Sequence, residues 1–187
     1  KKSARINNTL KIIENEFSLL IIKILASNLE RCGCENLIIT RKDGVAFCQR
    51  IKKFNPDFKF DKILVDAPCS GEGTLRSTPK TYQMWNPNTI FNLSKLQKSL
   101  VASAIEILKP NGVLIYSTCT HAPEENEEVV NFVLEKFPEM EIEKIILPIN
   151  YRKGITEWQN KEYNKETTKS CRIYPHDENT EGFFIAK

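Results

Sequence analysis

Two stretches of the chain carry side chains able to do covalent chemistry: Asp66-Ala67-Pro68-Cys69-Ser70-Gly71-Glu72-Gly73 and Tyr116-Ser117-Thr118-Cys119-Thr120. Each follows a short run rich in β-branched and aliphatic residues, Lys62 to Asp66 and Gly112 to Ser117. Ligands of open α/β sheets bind at the carboxyl ends of strands, so these positions bring two thiols and a carboxyl group to one crevice. A thiolate there can add to position 6 of a cytosine ring, which places electron density on position 5 and lets that carbon attack a methyl donor. A carboxyl group hydrogen-bonded to ring nitrogen 3 stabilises the charge that develops, a role open to Asp66. After methyl transfer the proton on position 5 and the enzyme thiol must both leave, and a second cysteine can act as base or relay. Singly, each residue has a plainer reading: a cysteine after a strand is usually a small core residue, and an aspartate can cap a helix. The matched contexts of the two cysteines favour the chemical one.

The elements that must position these residues alternate between strand-like and helix-like patterns, the mark of a sheet with helices packed on its faces. The spacing predicts strands over Asn36 to Thr40, Lys62 to Asp66, Gly112 to Ser117, Ile142 to Leu147 and Gly182 to Ala186. Their nearly continuous apolar character suits interior strands covered on both sides. Apolar residues at helical spacing, from Leu93 through Leu96, Leu100, Val101, Ala104 and Ile105 to Leu108, predict a helix stopped by Lys109-Pro110-Asn111-Gly112. Pro123, Glu124 and Glu125 suit the first turn of another helix, running through Val133 and Leu134 and ending before Pro138. The acidic run from Glu124 to Glu128 then reads as a solvated helix start. Tyr151 to Ser170 is polar and without a sustained period, which predicts a loop or surface excursion.

Composition sets outer bounds. With 187 residues, 41% of them hydrophobic, the chain is long enough to bury a core. A net charge of +3 permits a polyanionic partner without requiring one. The densest apolar stretch, Leu19-Leu20-Ile21-Ile22, is cut short at Lys23, far below the roughly 18 residues of a membrane span. No signal-peptide pattern opens the sequence, so an intracellular location, nucleus or cytoplasm, is expected. The six cysteines therefore read as reduced thiols. Cys32 and Cys34 are one residue apart rather than two, and only two histidines are present, which argues against a structural metal. Absence of Cys-x-x-Cys likewise argues against a thiol oxidoreductase.

Asp-Ala-Pro-Cys-Ser-Gly followed by Ser-Thr-Cys-Thr, with a helix between, resembles the paired motifs of the Sun/Nop family of RNA cytosine-5 methyltransferases. Glu124-Glu125-Asn126-Glu127, the stretch from Arg76 to Trp85, and Arg172-Ile173-Tyr174-Pro175-His176 leading into Gly182 to Ala186 extend the likeness, the last being most similar to the eukaryotic tRNA-modifying branch. The resemblance implies a Rossmann-like α/β domain that uses S-adenosylmethionine and acts on RNA, most simply tRNA, as a monomer. It implies Cys119 as nucleophile, Cys69 as the cysteine that releases product, and Asp66 and Pro68 near donor and base. Asp43, in Arg41-Lys42-Asp43-Gly44, matches an aspartate at the adenine end of the donor, although Asp-Gly also favours a simple turn. Arg76, Lys80 and Trp85 could contact RNA through phosphate pairing and stacking, or belong to a solvated loop. His121 and His176 read as structural or surface residues.

One part of the family pattern is not found. The proline- and glycine-rich loop that holds the donor's methionine part, expected before Lys23, has no counterpart, and the chain contains only 7 glycines. The acidic residue that grips the donor ribose also lacks a clear match, with only Glu14 and Glu16 as stand-ins. The segment Arg5 to Lys11 resembles one from an upstream RNA-contacting lobe. The expectation is therefore a partial catalytic domain over residues 23–187, lacking its first two strands, preceded by a remnant and junction over 1–22. Either Phe17 to Ile24 replaces the missing central strand or the sheet is open. The alternative function is a catalytically inactive RNA-binding remnant.

Overall fold

The computed structural model describes residues 12–34 and 36–187. They fall into two compact units that divide between Asp57 and Phe58. The segment Arg5 to Lys11 lies outside the described residues.

The first unit is a β-α-β-α arrangement: β1 (Ile12–Glu16), α1 (Leu19–Arg31), β2 (Leu37–Arg41) and α2 (Gly44–Phe54). β1 and β2 are parallel, with Ile12 opposite Leu37 and Glu16 opposite Arg41. Parallel neighbours need a crossover connection, and α1 supplies it. Asp43 caps α2: its side chain accepts a hydrogen bond from Ala46 N at 2.9 Å, satisfying one of the donors a helix start leaves open. Two expectations change here. A strand precedes Asn36, inside the stretch the sequence assigns to a junction, and it is built from Ile12 to Glu16. Phe17 to Ile24 is no surrogate strand, because Leu19 onward enters α1.

The second unit holds β3 (Phe60–Asp66), α3 (Lys80–Met84), α4 (Pro87–Ile105), β4 (Leu108–Thr118), α5 (Glu127–Lys136), β5 (Arg152–Lys153), β6 (Glu157–Trp158), β7 (Lys161–Glu162), β8 (Cys171–Ile173), α6 (Pro175–Glu178) and β9 (Phe183–Ala186). The strands β3-β4-β9-β8-β5 form one mixed sheet, with β3 and β4 parallel and the other pairs antiparallel. α4 begins at Asn86, whose side chain accepts from Thr89 N at 2.9 Å, with Pro87 in the first turn. Val101, Ala104 and Ile105 of α4 and Val129 and Val130 of α5 pack with Leu114, Tyr116, Phe184 and Ala186 of the sheet.

Between its pairings at Phe60–Leu108 and Lys62–Val113 the ladder shifts register, and the extra residues Lys109 to Gly112 bulge out with Asn111 at φ 61°. The predicted turn is thus a bulge within β4 rather than a break before it. Ile142 to Leu147 is not a strand. Ile142 is buried, and Glu143 N donates to Lys187 O at 2.8 Å, but no ladder forms. The Tyr151 to Ser170 excursion is more ordered than its polarity suggests. β6 and β7 make a hairpin through Gln159 and Asn160, both at positive φ, and Tyr163 and Thr167 are buried.

Arg172 on β8 and Glu127 at the start of α5 form an ion pair with side chains 3% and 0% exposed. Arg172 Nη1 also donates to His121 O at 3.0 Å, and Glu127 accepts from Ile155 N at 3.1 Å. Removing one partner leaves the other charge buried and uncompensated, at about 3–5 kcal/mol. Arg172→Met and Glu127→Gln should each lower unfolding free energy by about that much in urea titrations, and the double variant by less than the sum.

Candidate active site

The site is set by the register of β3 against β4, which aligns Val65 with Tyr116 and Asp66 with Ser117. Side by side, the two strands release their chains at the same level, and Ala67 N still bonds to Ser117 O at 2.9 Å. Three residues beyond Asp66 and two beyond Ser117, the sulfurs of Cys69 and Cys119 lie 3.2 Å apart. Both are half-buried free thiols, so they are neither locked in the core nor fully open to water.

That contact divides the chemistry of the pair. One sulfur donates its hydrogen to the other, which favours charge on the acceptor and disfavours it on the donor. The hydrogen bond from Cys69 draws the Cys119 thiol down to about 7, against burial and the nearby carboxylates of Asp66 and Glu125. The same contact, with burial, holds Cys69 far above the ordinary thiol range. Cys119 is therefore the thiol that gives up its proton first, around neutral pH, while Cys69 keeps its own.

The two loops are cross-linked by polar contacts. Ser70 Oγ and Thr120 Oγ1 are 2.7 Å apart, and Gly73 N donates to Cys119 O at 2.8 Å. Gly182 N then donates to Gly73 O at 2.9 Å. A Cβ on Gly73 would stand 2.3 Å from Gly182 O and 2.8 Å from Cys119 O, so only glycine lets the three segments approach this closely. Glu72 accepts from His121 N at 3.2 Å, Thr120 Oγ1 at 3.3 Å and Trp85 Nε1 at 2.6 Å. Asn126 accepts from Thr118 Oγ1 at 2.7 Å and donates to Thr120 O at 3.0 Å, bracketing Cys119.

Of the residues singled out from sequence, the structure brings together Cys69, Cys119, Asp66 and Pro68. Asp66 is exposed and accepts from Ser117 Oγ at 2.9 Å; it caps no helix. Pro68 is exposed, with its carbonyl held by Gln97 Nε2 at 2.8 Å. Asp43 belongs to the first unit, where it is the α2 cap. Arg76 and Lys80 are exposed, and Trp85 is held by Glu72. Cys171 is buried, with Sγ 3.8 Å from Ile145 O, and Cys48 is buried in α2. His121 is half-buried and stacks on Tyr174 at 4.8 Å, its imidazole pushed down by burial.

The acidic run after Cys119 departs most from expectation. α5 starts only at Glu127, and Glu125, Asn126 and Glu127 are fully buried rather than solvated. Glu125 and Glu127 were legible as motif residues but not as interior ones, because their partners lie far away in sequence.

A model of the family described as 16S rRNA methyltransferase RsmB/F matches residues 3–187. The chain belongs to that family. It is 41% identical over 176 residues to the tRNA (cytosine(49)-C(5))-methyltransferase of Pyrococcus abyssi, covering 94% of this chain and 54% of that protein. It is 37% identical over 185 residues to ribosomal RNA small subunit methyltransferase F of Escherichia coli K12, covering 99% and 36%. The structure of NSun6 from Pyrococcus horikoshii with SFG superposes with a TM-score of 0.72 at 31% identity, covering 94% of this chain and 40% of that one. The chain thus spans about half, or less, of the length of these relatives, and its α/β fold is the Rossmann-like one of methyltransferases. No described helix is long and apolar enough to cross a membrane.

The division of charge within the sulfur pair has a direct readout. Alkylation of Cys119 by iodoacetamide, followed by peptide mass spectrometry across pH, should show a midpoint near 7. In Cys69→Ala the donor is gone, so the midpoint should rise toward the ordinary thiol value of about 8.5. An unchanged midpoint would mean that Cys69 does not tune Cys119.

Proposed function

We propose that this chain is the catalytic part, residues 23–187 with β1 ahead of them, of an enzyme that methylates position 5 of a cytosine in RNA, with tRNA the substrate class. The observation that carries the reading is the 3.2 Å approach of two half-buried sulfurs at adjacent strand ends, one of them poised as thiolate. Family membership supports RNA as acceptor, and the likeness to a tRNA methyltransferase supports tRNA.

The acceptor ring must be exposed or flipped out of its stack before a thiolate can reach it. Cys119 then adds to position 6 while the Asp66 carboxyl, held by Ser117, brings a proton to ring nitrogen 3, where negative charge develops, and takes it back when the adduct breaks down. The donor, S-adenosylmethionine, supplies an electrophilic methyl group when bound. Within the first unit, acidic side chains at the carboxyl ends of the two strands suit its ribose hydroxyls. Glu16 ends β1, and Asp43 follows β2. Glu16 uses one oxygen to accept from Ser18 N at 2.7 Å. An acid at a strand end of this kind is what binds ribose in dinucleotide folds. With position 5 methylated, Cys119 is a thioether and no longer holds the proton on Cys69; Cys69 gives that proton to water and takes the one on position 5, as the bond to Cys119 breaks and that sulfur leaves as thiolate. A thiol pair this close must stay reduced to work, which fits a nuclear or cytoplasmic setting.

The test uses a labelled methyl donor, transcribed tRNA, wild type, Cys119→Ala and Cys69→Ala. Cys119→Ala should abolish transfer. Cys69→Ala should leave a covalent protein-RNA adduct that survives a denaturing gel, because addition occurs but release does not. Absence of transfer by wild type, with RNA binding retained, would instead identify an inactive RNA-binding remnant.

A further inference from the structure

Among the described residues two carboxylates are fully buried, Glu125 and Glu127. Glu127 has Arg172 as counter-ion, whereas Glu125 is bonded only to uncharged donors. A buried carboxylate without a cation is costly unless its hydrogen bonds compensate. Burial indeed pushes the Glu125 carboxyl up, against hydrogen bonds from Ser70 and Gln97 that pull it down. Its charge also opposes thiolate formation at Cys119. Activation of the nucleophile is thus not what this residue is for.

Its contacts show what is gained. Glu125 Oε2 accepts from Ser70 N at 3.1 Å, the peptide immediately after Cys69. The same oxygen accepts from Gln97 Nε2 at 2.7 Å, and that nitrogen donates to Pro68 O at 2.8 Å, immediately before Cys69. Gln97 is fully buried, and its Oε1 has no hydrogen-bond partner. Turning the amide over would set that oxygen against two acceptors, so Gln97 leaves its own acceptor unmet in order to aim its donor at Pro68 and Glu125. The backbone that carries the carboxylate is itself anchored: Tyr116 OH donates to the Glu125 carbonyl O at 2.6 Å, and Ser94 Oγ to the Glu124 carbonyl O at 2.6 Å.

We infer that Glu125, with Gln97, is a positioning residue for Cys69: it grips the backbone on both sides of that cysteine and holds its sulfur where product release requires it. The inference rests on the proposed covalent cycle. It assigns the clamp to the release half of that cycle, not to addition or methyl transfer. Ser70 N reaches both carboxylate oxygens, at 3.1 and 3.4 Å, so in Glu125→Gln the amide nitrogen meets the Ser70 N–H in either orientation and weakens the grip on the Cys69 loop while side-chain volume is kept.

The experiment compares wild type, Cys69→Ala, Glu125→Gln and Gln97→Met with labelled S-adenosylmethionine and transcribed tRNA, after far-UV circular dichroism and thermal melting. Glu125→Gln should transfer methyl in the first turnover at close to the wild-type rate. Its multiple-turnover rate should fall about tenfold or more, with adduct accumulating on a denaturing gel as for Cys69→Ala. Gln97→Met should show the same pattern more weakly, and it decides the matter if Glu125→Gln does not fold. Wild-type turnover without adduct in both folded variants would overturn the inference. So would a first turnover lost without adduct, which would place the clamp on the nucleophile or donor side. If Cys69→Ala itself yields no adduct while wild type methylates, the assigned role of Cys69 is wrong, and the clamp assignment falls with it.

Discussion

Everything at the candidate site depends on the register between β3 and β4. With Asp66 opposite Ser117, the loops that follow leave the sheet side by side and meet at two sulfurs. Side chains of a strand alternate between faces, so a slip of one residue would turn Asp66 and Ser117 away from each other and separate the cysteines by more than a hydrogen bond can span. Parallel pairing alone does not pin this register. β9 does so from the other side, by pairing Tyr116, Ser117 and Thr118 with Ala186, Ile185 and Phe184, and Gly182 just before it bonds back to Gly73. The carboxyl-terminal strand is therefore part of the site's scaffold as well as of the core.

The loops beyond the sheet have no ladder to hold them, and the protein replaces it with a buried polar turn. Ala122 to Glu127 adjoins both cysteine loops and sends the side chains of Glu125 and Asn126 to them. Asn126 brackets Cys119, Glu125 and Gln97 bracket Cys69, and Glu127 with Arg172 ties the turn to β8 and to His121. A polar network of this kind is directional where apolar packing is not. It fixes angles and distances that a hydrophobic contact would leave loose, at the expense of burying charge.

This division between ladder and network also explains what could be read from sequence. Cys69, Cys119 and Asp66 were legible because chemistry-bearing residues follow directly on apolar runs, and a strand end is a local pattern. β1 was not, since Asn15 and two glutamates in Ile12-Ile13-Glu14-Asn15-Glu16 mask its strand character, and only pairing with β2 reveals it. Ile142 to Leu147 misled in the opposite direction: an apolar run can be buried by packing without joining a sheet. The acidic turn was hidden for the plainest reason. Composition places Glu125 and Glu127 in solvent, whereas Ser70, Gln97 and Arg172, respectively 55, 28 and 45 positions away from the carboxylate each one meets, bring them inside.

The addition step of the proposed reaction asks opposite things of chemically identical groups, one thiol without its proton and one with it. Separate environments could supply this, a cationic pocket for the first and an apolar one for the second, but the described residues offer Cys119 no cationic partner. The sulfur-sulfur contact achieves it with a single shared proton, because whatever stabilises the thiolate on Cys119 also retains hydrogen on Cys69. Such an arrangement is only as good as its distance. At hydrogen-bond range the two thiols differentiate; a short retreat would return both toward the same ordinary acidity and abolish the difference.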